Sequence, residues 1–192
     1  MKTSYRGIEL IVEREGEKLN SYLDSAGVWT IGVGHTGPYI HENMNITVDQ
    51  SRRYLQLDID ECEMAIDSNV SVPLSENQYD CLVSFIFNVG VNAFKNSTLL
   101  SELNNGHYDR VPSQLIRWNK ITDPLTNKKI ILNGLVNRRN SEVAQWVSGY
   151  GLSDQTQVAE PEAPNDSPPI TIFKESKTIK TGAAITLSLI HI

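Results

Sequence analysis

Between Tyr79 and Val89 the chain reads YDCLVSFIFNV, apolar on almost every side of a helix, with Gly90 behind it. A helix without a polar face is stable only when other helices cover it, so this run calls for a helical lobe built around it. Pro73 breaks the pattern before it. Ser75 and Gln78 then have the spacing of a capping box, in which each side chain satisfies the other's backbone donor. Upstream, Thr47 and Gln50 repeat that spacing and open a helix of about 20 residues, long enough to link two lobes. Val48, Leu55, Ile59, Cys62 and Ile66 form its apolar stripe, and the acidic face of Asp58, Asp60, Glu61, Glu63 and Asp67 is expected to be solvated. Shorter helices are expected near 97–105, 108–118 and 135–148, and one from Ser4, as N-cap, to about Glu15, with Gly16 as its stop.

Residues 18–36 have a different character. Tyr22, Val28, Trp29, Thr30, Ile31 and Val33 favour strands, and DSAG and GVGHTG supply turns, which predicts an antiparallel sheet of two or three strands. After it only helices are expected. The fold class is therefore α+β, with the strands segregated near the N-terminus in a small sheet lobe and a larger helical lobe following. Gly32, Gly34 and Gly37 do not make a phosphate loop: they lie within or after a strand, Pro38 turns the chain, and no Gly-Lys-Ser/Thr follows.

From Ser148 the composition turns to Pro, Ser, Asp, Glu and Gln, which cannot bury enough apolar surface to offset ordering. The organisation expected is a folded unit over 1–149, a linker over 150–170 and a tail over 171–192. In the tail, Lys174, Lys177 and Lys180 precede an apolar stretch too short to span a bilayer, which needs about 20 residues. It reads as a disordered tail or a truncated anchor. Cys62 and Cys81 are too few for a disulfide framework and fit no zinc pattern, so two buried free thiols are expected. Charge is uneven: residues 1–89 hold 14 Asp/Glu against 6 Lys/Arg, whereas residues 90–140 hold 3 against 8. The basic half suits an anionic polymer, but its cations are scattered and no nucleic-acid motif accompanies them.

Glu15, at a helix end, and Asp24, in the strand region, can face each other across a cleft. Two carboxylates flanking a bond are what glycoside hydrolysis requires, one as acid and one as base or nucleophile. Acidic pairs are common, however, and ordinary surface carboxylates give the same spacing. Thr30 lies on the strand face opposite Trp29 and Ile31, where its hydroxyl can hold a water beside a carboxylate or simply favour a strand. His35 has no metal-ligand spacing to His41, Glu42 or His107 and is expected to make a structural hydrogen bond or salt bridge.

Four ordered blocks resemble the phage-type lysozymes, the bacteriophage endolysins of a muramidase family of glycoside hydrolases. They are EG, YLD and GVWTIGVGHT at 15–36, then QYDCLVSFIFNVG (Gln78–Gly90), STLLSELNNGHY (Ser97–Tyr108) and NGLVNRRNSE (Asn133–Glu142). The resemblance implies a lysozyme-like fold with the saccharide between the lobes, and hydrolysis of the β-1,4 bond between N-acetylmuramic acid and N-acetylglucosamine in peptidoglycan. It implies Glu15 as general acid, Asp24 as charge stabiliser, and Asp24 with Thr30 acting on the attacking water in an inverting mechanism. No cofactor or metal is implied. The partner is peptidoglycan, not nucleic acid, for a monomer that waits in the host cytoplasm until a separate holin opens the membrane. A non-catalytic wall-binding protein and a lytic transglycosylase remain the alternatives. Two features depart from the family: the net charge of −6, and the segment Asp123–Gly134, longer than the usual loop.

Overall fold

Helix α1 (Tyr5–Glu15) begins where the Ser4 hydroxyl accepts from the Gly7 amide, and it ends at Gly16, whose positive φ turns the chain out. The computed structural model describes residues 1–24, 27–123 and 126–148. The linker and tail expected at 150–170 and 171–192 lie outside the described residues. Strands β1 (Lys18–Leu23), β2 (Trp29–Gly32) and β3 (His35–Thr36) form an antiparallel sheet in that order, with Tyr22 opposite Thr30 and Ile31 opposite His35. Its core is Ile31, Ile40 and Ile46, flanked by Leu19, Trp29, Met44 and Tyr54.

Helix α2 (Val48–Asn69) opens on the expected capping box, both halves of which are formed. It serves both lobes: Tyr54 packs on the sheet core, and Leu55, Ile59, Cys62 and Ile66 enter the helical core. Two expectations for this helix need correction. Val48 is half exposed rather than part of the stripe. The acidic face is not uniformly solvated, because Glu63 is only 3% exposed. It accepts from the Thr3 amide (2.7 Å), the Thr3 hydroxyl (2.8 Å) and Lys2 Nζ (2.6 Å), so it anchors the N-terminal segment.

Helix α3 (Glu76–Val89) is the centre of the helical lobe, buried without interruption from Gln78 to Ile86, as its sequence requires. Around it lie α1, α2, α4 (Val91–Lys95), α5 (Thr98–Asn104), a 3-10 turn at Tyr108–Arg110, α6 (Val111–Ile116) and α7 (Asn133–Ser148). Cys62 and Cys81 are free and buried, and burial pushes both thiols up. The expectation of helices alone after the first sheet fails. Strands β4 (Lys120–Thr122) and β5 (Lys129–Ile131) make an antiparallel hairpin with Ile121 opposite Ile130. Each strand is three residues long and opens on a lysine, too short a run to show the alternation on which a sequence reading relies.

Candidate active site

The last residue of α1 is Glu15. Because α1 packs on α3, this carboxylate belongs to the helical lobe, and α7 holds it: Arg138 Nη1 donates to Glu15 Oε1 at 2.6 Å, with both side chains largely buried. The other carboxylate oxygen faces the turn between β2 and β3. A Cβ added to Gly34 would stand 3.9 Å from Glu15 Oε2, and Gly34 has a φ of +73°, a conformation glycine adopts without penalty. Val33, next to it, is fully buried in the helical core, so the sheet lobe is pinned to the helical lobe beside Glu15. Below Glu15 lies a cavity of about 430 Å³ lined by Arg14, Asn88, Leu135 and Arg138, among others.

Asp24 follows β1 and shapes the link to β2. Its Oδ1 accepts from the Val28 amide at 2.8 Å, and its own amide donates to the Val28 carbonyl at 3.0 Å. Tyr22 reports where the two carboxylates lie. Its phenol is pushed up first by burial and then by the negative charges of Glu15 and Asp24, so one ring is within electrostatic reach of both. Lys18 Nζ sits 3.9 Å from the centre of that ring. Thr30, opposite Tyr22 in the register, has no exposed surface, and its hydroxyl donates to the Val28 carbonyl at 3.0 Å. Thus Glu15 abuts the sheet lobe at Gly34, and Asp24 and Thr30 belong to that sheet, Thr30 opposite Tyr22 on the neighbouring strand.

His35 takes the structural role expected of it. Its Nδ1 is 2.9 Å from both Asp58 oxygens, its Nε2 is 2.6 Å from the Tyr39 hydroxyl, and its ring stacks on Tyr54 at 4.5 Å. Among the described residues no group of three or more His, Cys, Asp or Glu side chains could hold a metal ion.

A buried charge network behind Glu15 was not anticipated from the sequence. Glu142 has no exposed surface. It accepts from Arg138 Nε (3.3 Å) and the Ser84 hydroxyl (3.1 Å), and Arg139 Nε lies 3.2 Å away. Ser84 in turn accepts from Arg14 Nη1 at 2.6 Å. Arg139, equally buried, donates to Asn88 Oδ1 and lies over the Phe85 ring. Burial pulls its guanidinium down to about 10, against the opposing effect of Glu142. The only sequence signal was the i, i+4 spacing of Arg138 and Glu142, which on a helix usually marks a surface pair.

The phage lysozyme family model matches residues 12–142. The chain belongs to the phage lysozyme family. It is 38% identical over 152 residues to the endolysin of Acyrthosiphon pisum secondary endosymbiont phage 1, covering 77% of this chain and 99% of that one. Among solved structures, the endolysin from Escherichia coli O157:H7 phage FAHEc1 superposes with a TM-score of 0.71 at 34% identity, covering 77% of this chain and 94% of the other. The muramidase domain of SpmX from Asticaccaulis excentricus gives a TM-score of 0.71 at 32% identity, with 76% and 97% covered. The fold is therefore lysozyme-like, and this phage lysozyme is a peptidoglycan-cleaving enzyme. Among the described residues no helix is long and apolar enough to cross a membrane.

Proposed function

We propose that this phage lysozyme is a muramidase, hydrolysing the β-1,4 bond between N-acetylmuramic acid and N-acetylglucosamine, with Glu15, Asp24 and Thr30 as its catalytic residues. The observation that carries this reading is Glu15, held by Arg138 at the end of α1, with its second carboxylate oxygen facing the β2–β3 turn of the sheet that carries Thr30 and leads into Asp24. The muramidase domain of SpmX, alike in fold, adds weight to it.

Glu15 hands its proton to the glycosidic oxygen as the bond to the anomeric carbon breaks. Its grip by Arg138 through Oε1 leaves Oε2, on the Gly34 side, to carry that proton. Positive charge then develops at the sugar and is met by the Asp24 carboxylate, whose orientation the Val28 amide fixes. A water gives one proton to Asp24 as its lone pair attacks the anomeric carbon from the face opposite the leaving group, and Thr30 Oγ1, closed off in the free protein, accepts a hydrogen bond from that water once the hydroxyl opens to the cleft. Thr30 suits that acceptor role because its own proton is committed to the Val28 carbonyl. The catalytic unit in this reading is residues 1–149, acting as a monomer on wall reached through a separate holin and so lysing the host.

Glu15→Gln removes the proton donor while keeping the shape that Arg138 holds. Release of reducing ends from peptidoglycan should fall by at least about 100-fold, with an unchanged melting temperature. Full activity in this variant would sink the assignment. Mass spectrometry of wild-type digests distinguishes chemistries: hydrolysis adds water, a transglycosylase leaves anhydro-sugar ends, and a binding protein leaves the strands uncut.

A further inference from the structure

Glu142 has no exposed surface, and the mechanism above gives it nothing to do. A buried carboxylate is costly unless its oxygens are well paired. Here only one of them is. Oε1 accepts from the Ser84 hydroxyl at 3.1 Å and from Arg138 Nε at 3.3 Å. Oε2 lies 3.2 Å from Arg139 Nε, but the two are misaligned and neither makes a hydrogen bond among the described residues. The well-paired oxygen is thus the one on the arginine that also grips Glu15.

Three guanidiniums surround these two carboxylates. Arg138 bridges them, with Nη1 on Glu15 at 2.6 Å and Nε on Glu142. Arg139 flanks Glu142 on α7, and Arg14, next to Glu15 in α1, donates to the Ser84 hydroxyl that bonds Glu142. Burial, with Arg138 nearby, pulls the Arg14 and Arg139 guanidiniums down, and for both the leading opposing charge is Glu142. Among the other neighbours, the Cys81 thiol of α3 donates to the Glu142 carbonyl, and Glu13 of α1 acts on Arg14. Helix α6, also packed on α7, carries no charged residue. On the sheet side the titratable groups are Tyr22, Lys18 over its ring, and Asp24.

A general acid has to carry its proton when the sugar arrives. A guanidinium held against a carboxylate favours the ionised form, and further cations behind it add to that pull. Arg138 by itself would orient Glu15 while favouring loss of the proton. Glu142 offsets this in two ways: it takes a share of the Arg138 hydrogen bonding, and it cancels arginine charge at the rear of Glu15.

We propose that Glu142 is a positioning residue for the reaction, acting through Arg138 so that Glu15 is held in place and still keeps the proton it delivers. The proposal rests on the reading of Glu15 as general acid and adds to it a residue that never meets the sugar.

Glu142→Gln keeps the side-chain shape and an acceptor for Ser84 while removing the charge. Release of reducing ends from peptidoglycan by the full chain is followed across about pH 4–9. The alkaline limb of the profile should move down by at least about one pH unit in the variant, with the lost rate largely regained on the acid side. Arg14→Gln removes a cation from the same cluster and should move the limb upward. In parallel, the Glu15 side-chain carboxyl is titrated by carbon-13 NMR in all three proteins, and its midpoint should move as the limb does. A rate reduced by one factor at every pH, with the Glu15 midpoint unmoved, would make Glu142 structural and overturn the proposal. If Glu142→Gln does not fold, Arg14→Gln decides: an unmoved or lowered midpoint overturns it. Full activity in Glu15→Gln would instead remove the general-acid reading, and the NMR titration would still decide whether Glu142 governs the Glu15 proton.

Discussion

Among the described residues the sheet lobe closes over three buried apolar side chains, Ile31, Ile40 and Ile46, whereas the helical lobe closes over 21 centred on α3. A core of three isoleucines stabilises a sheet only weakly, so the small lobe depends on its attachments. Val33 is plugged into the helical core, Tyr54 reaches across from α2, His35 is tied to Asp58, and Arg52 bridges Glu9 and Glu17. Glu15 sits on the strong side of this divide and Asp24 with Thr30 on the weak side. In the proposed mechanism the proton donor is therefore rigidly mounted, while the groups that handle the water ride on the less stable lobe.

The largest effects should fall on the helical side. Phe85→Ala should cost about 3–5 kcal/mol, because it empties the centre of the large core beneath Arg139. Glu142→Ala should cost a similar amount, about 3–5 kcal/mol, by leaving Arg138 and Arg139 buried without their shared carboxylate. Urea denaturation measures both, and a loss below about 1 kcal/mol for Glu142→Ala would show that water or relaxation takes over the pairing. In the sheet lobe, Ile40→Val should cost only about 0.5–1.5 kcal/mol. Its sharper signature is local: hydrogen exchange should quicken in 18–36 and not in α3. Equal quickening in both would mean that the two lobes open as one unit.

Smaller still are the effects at the seams. Burial of Glu63 alone would raise its carboxyl, but the hydrogen bonds from Lys2 and Thr3 outweigh it and hold the group below its usual 4.5. A carboxyl lowered on folding contributes stability above that value, which is lost as pH falls through its folded pKa. Acid melts should therefore show a shallower decline below pH 4.5 for Glu63→Gln than for wild type, and parallel curves would remove Glu63 as an acid-sensitive anchor. Arg52→Ala should cost least, at most about 1 kcal/mol, since its bridge to Glu9 and Glu17 is partly exposed. A larger loss would mean that this bridge, and not Val33, holds the lobes together.

The features legible from sequence are those set by neighbours along the chain. Ser4, the Thr47 and Ser75 capping boxes, Gly16 and the all-apolar α3 each carry their reason within a few residues, and each stands where expected. What was missed depends on distant partners. Glu63 looks like any acid on a polar face until Thr3 folds over it, 60 residues away in sequence. Arg138, Arg139 and Glu142 were given no role, because nothing local reveals that they are buried together behind α1 and α3. The β4–β5 hairpin escaped notice because three-residue strands studded with lysine carry too little pattern. For the site, Glu15, Asp24 and Thr30 were named through resemblance, whereas the arginine that grips Glu15 came only from the fold.

The bond from Arg138 to Glu15 spans 123 positions of the chain. Glu15 leaves the ribosome 123 residues ahead of its partner. Synthesis runs from the N-terminus, so a nascent chain carries the carboxylate long before it can carry the arginine. Until α7 docks, α1 can already pack on α3, but the carboxylate lacks the arginine that holds it. Chains of this peptidoglycan-cleaving enzyme that stop short of α7 therefore carry Glu15 without the arginine that orients it.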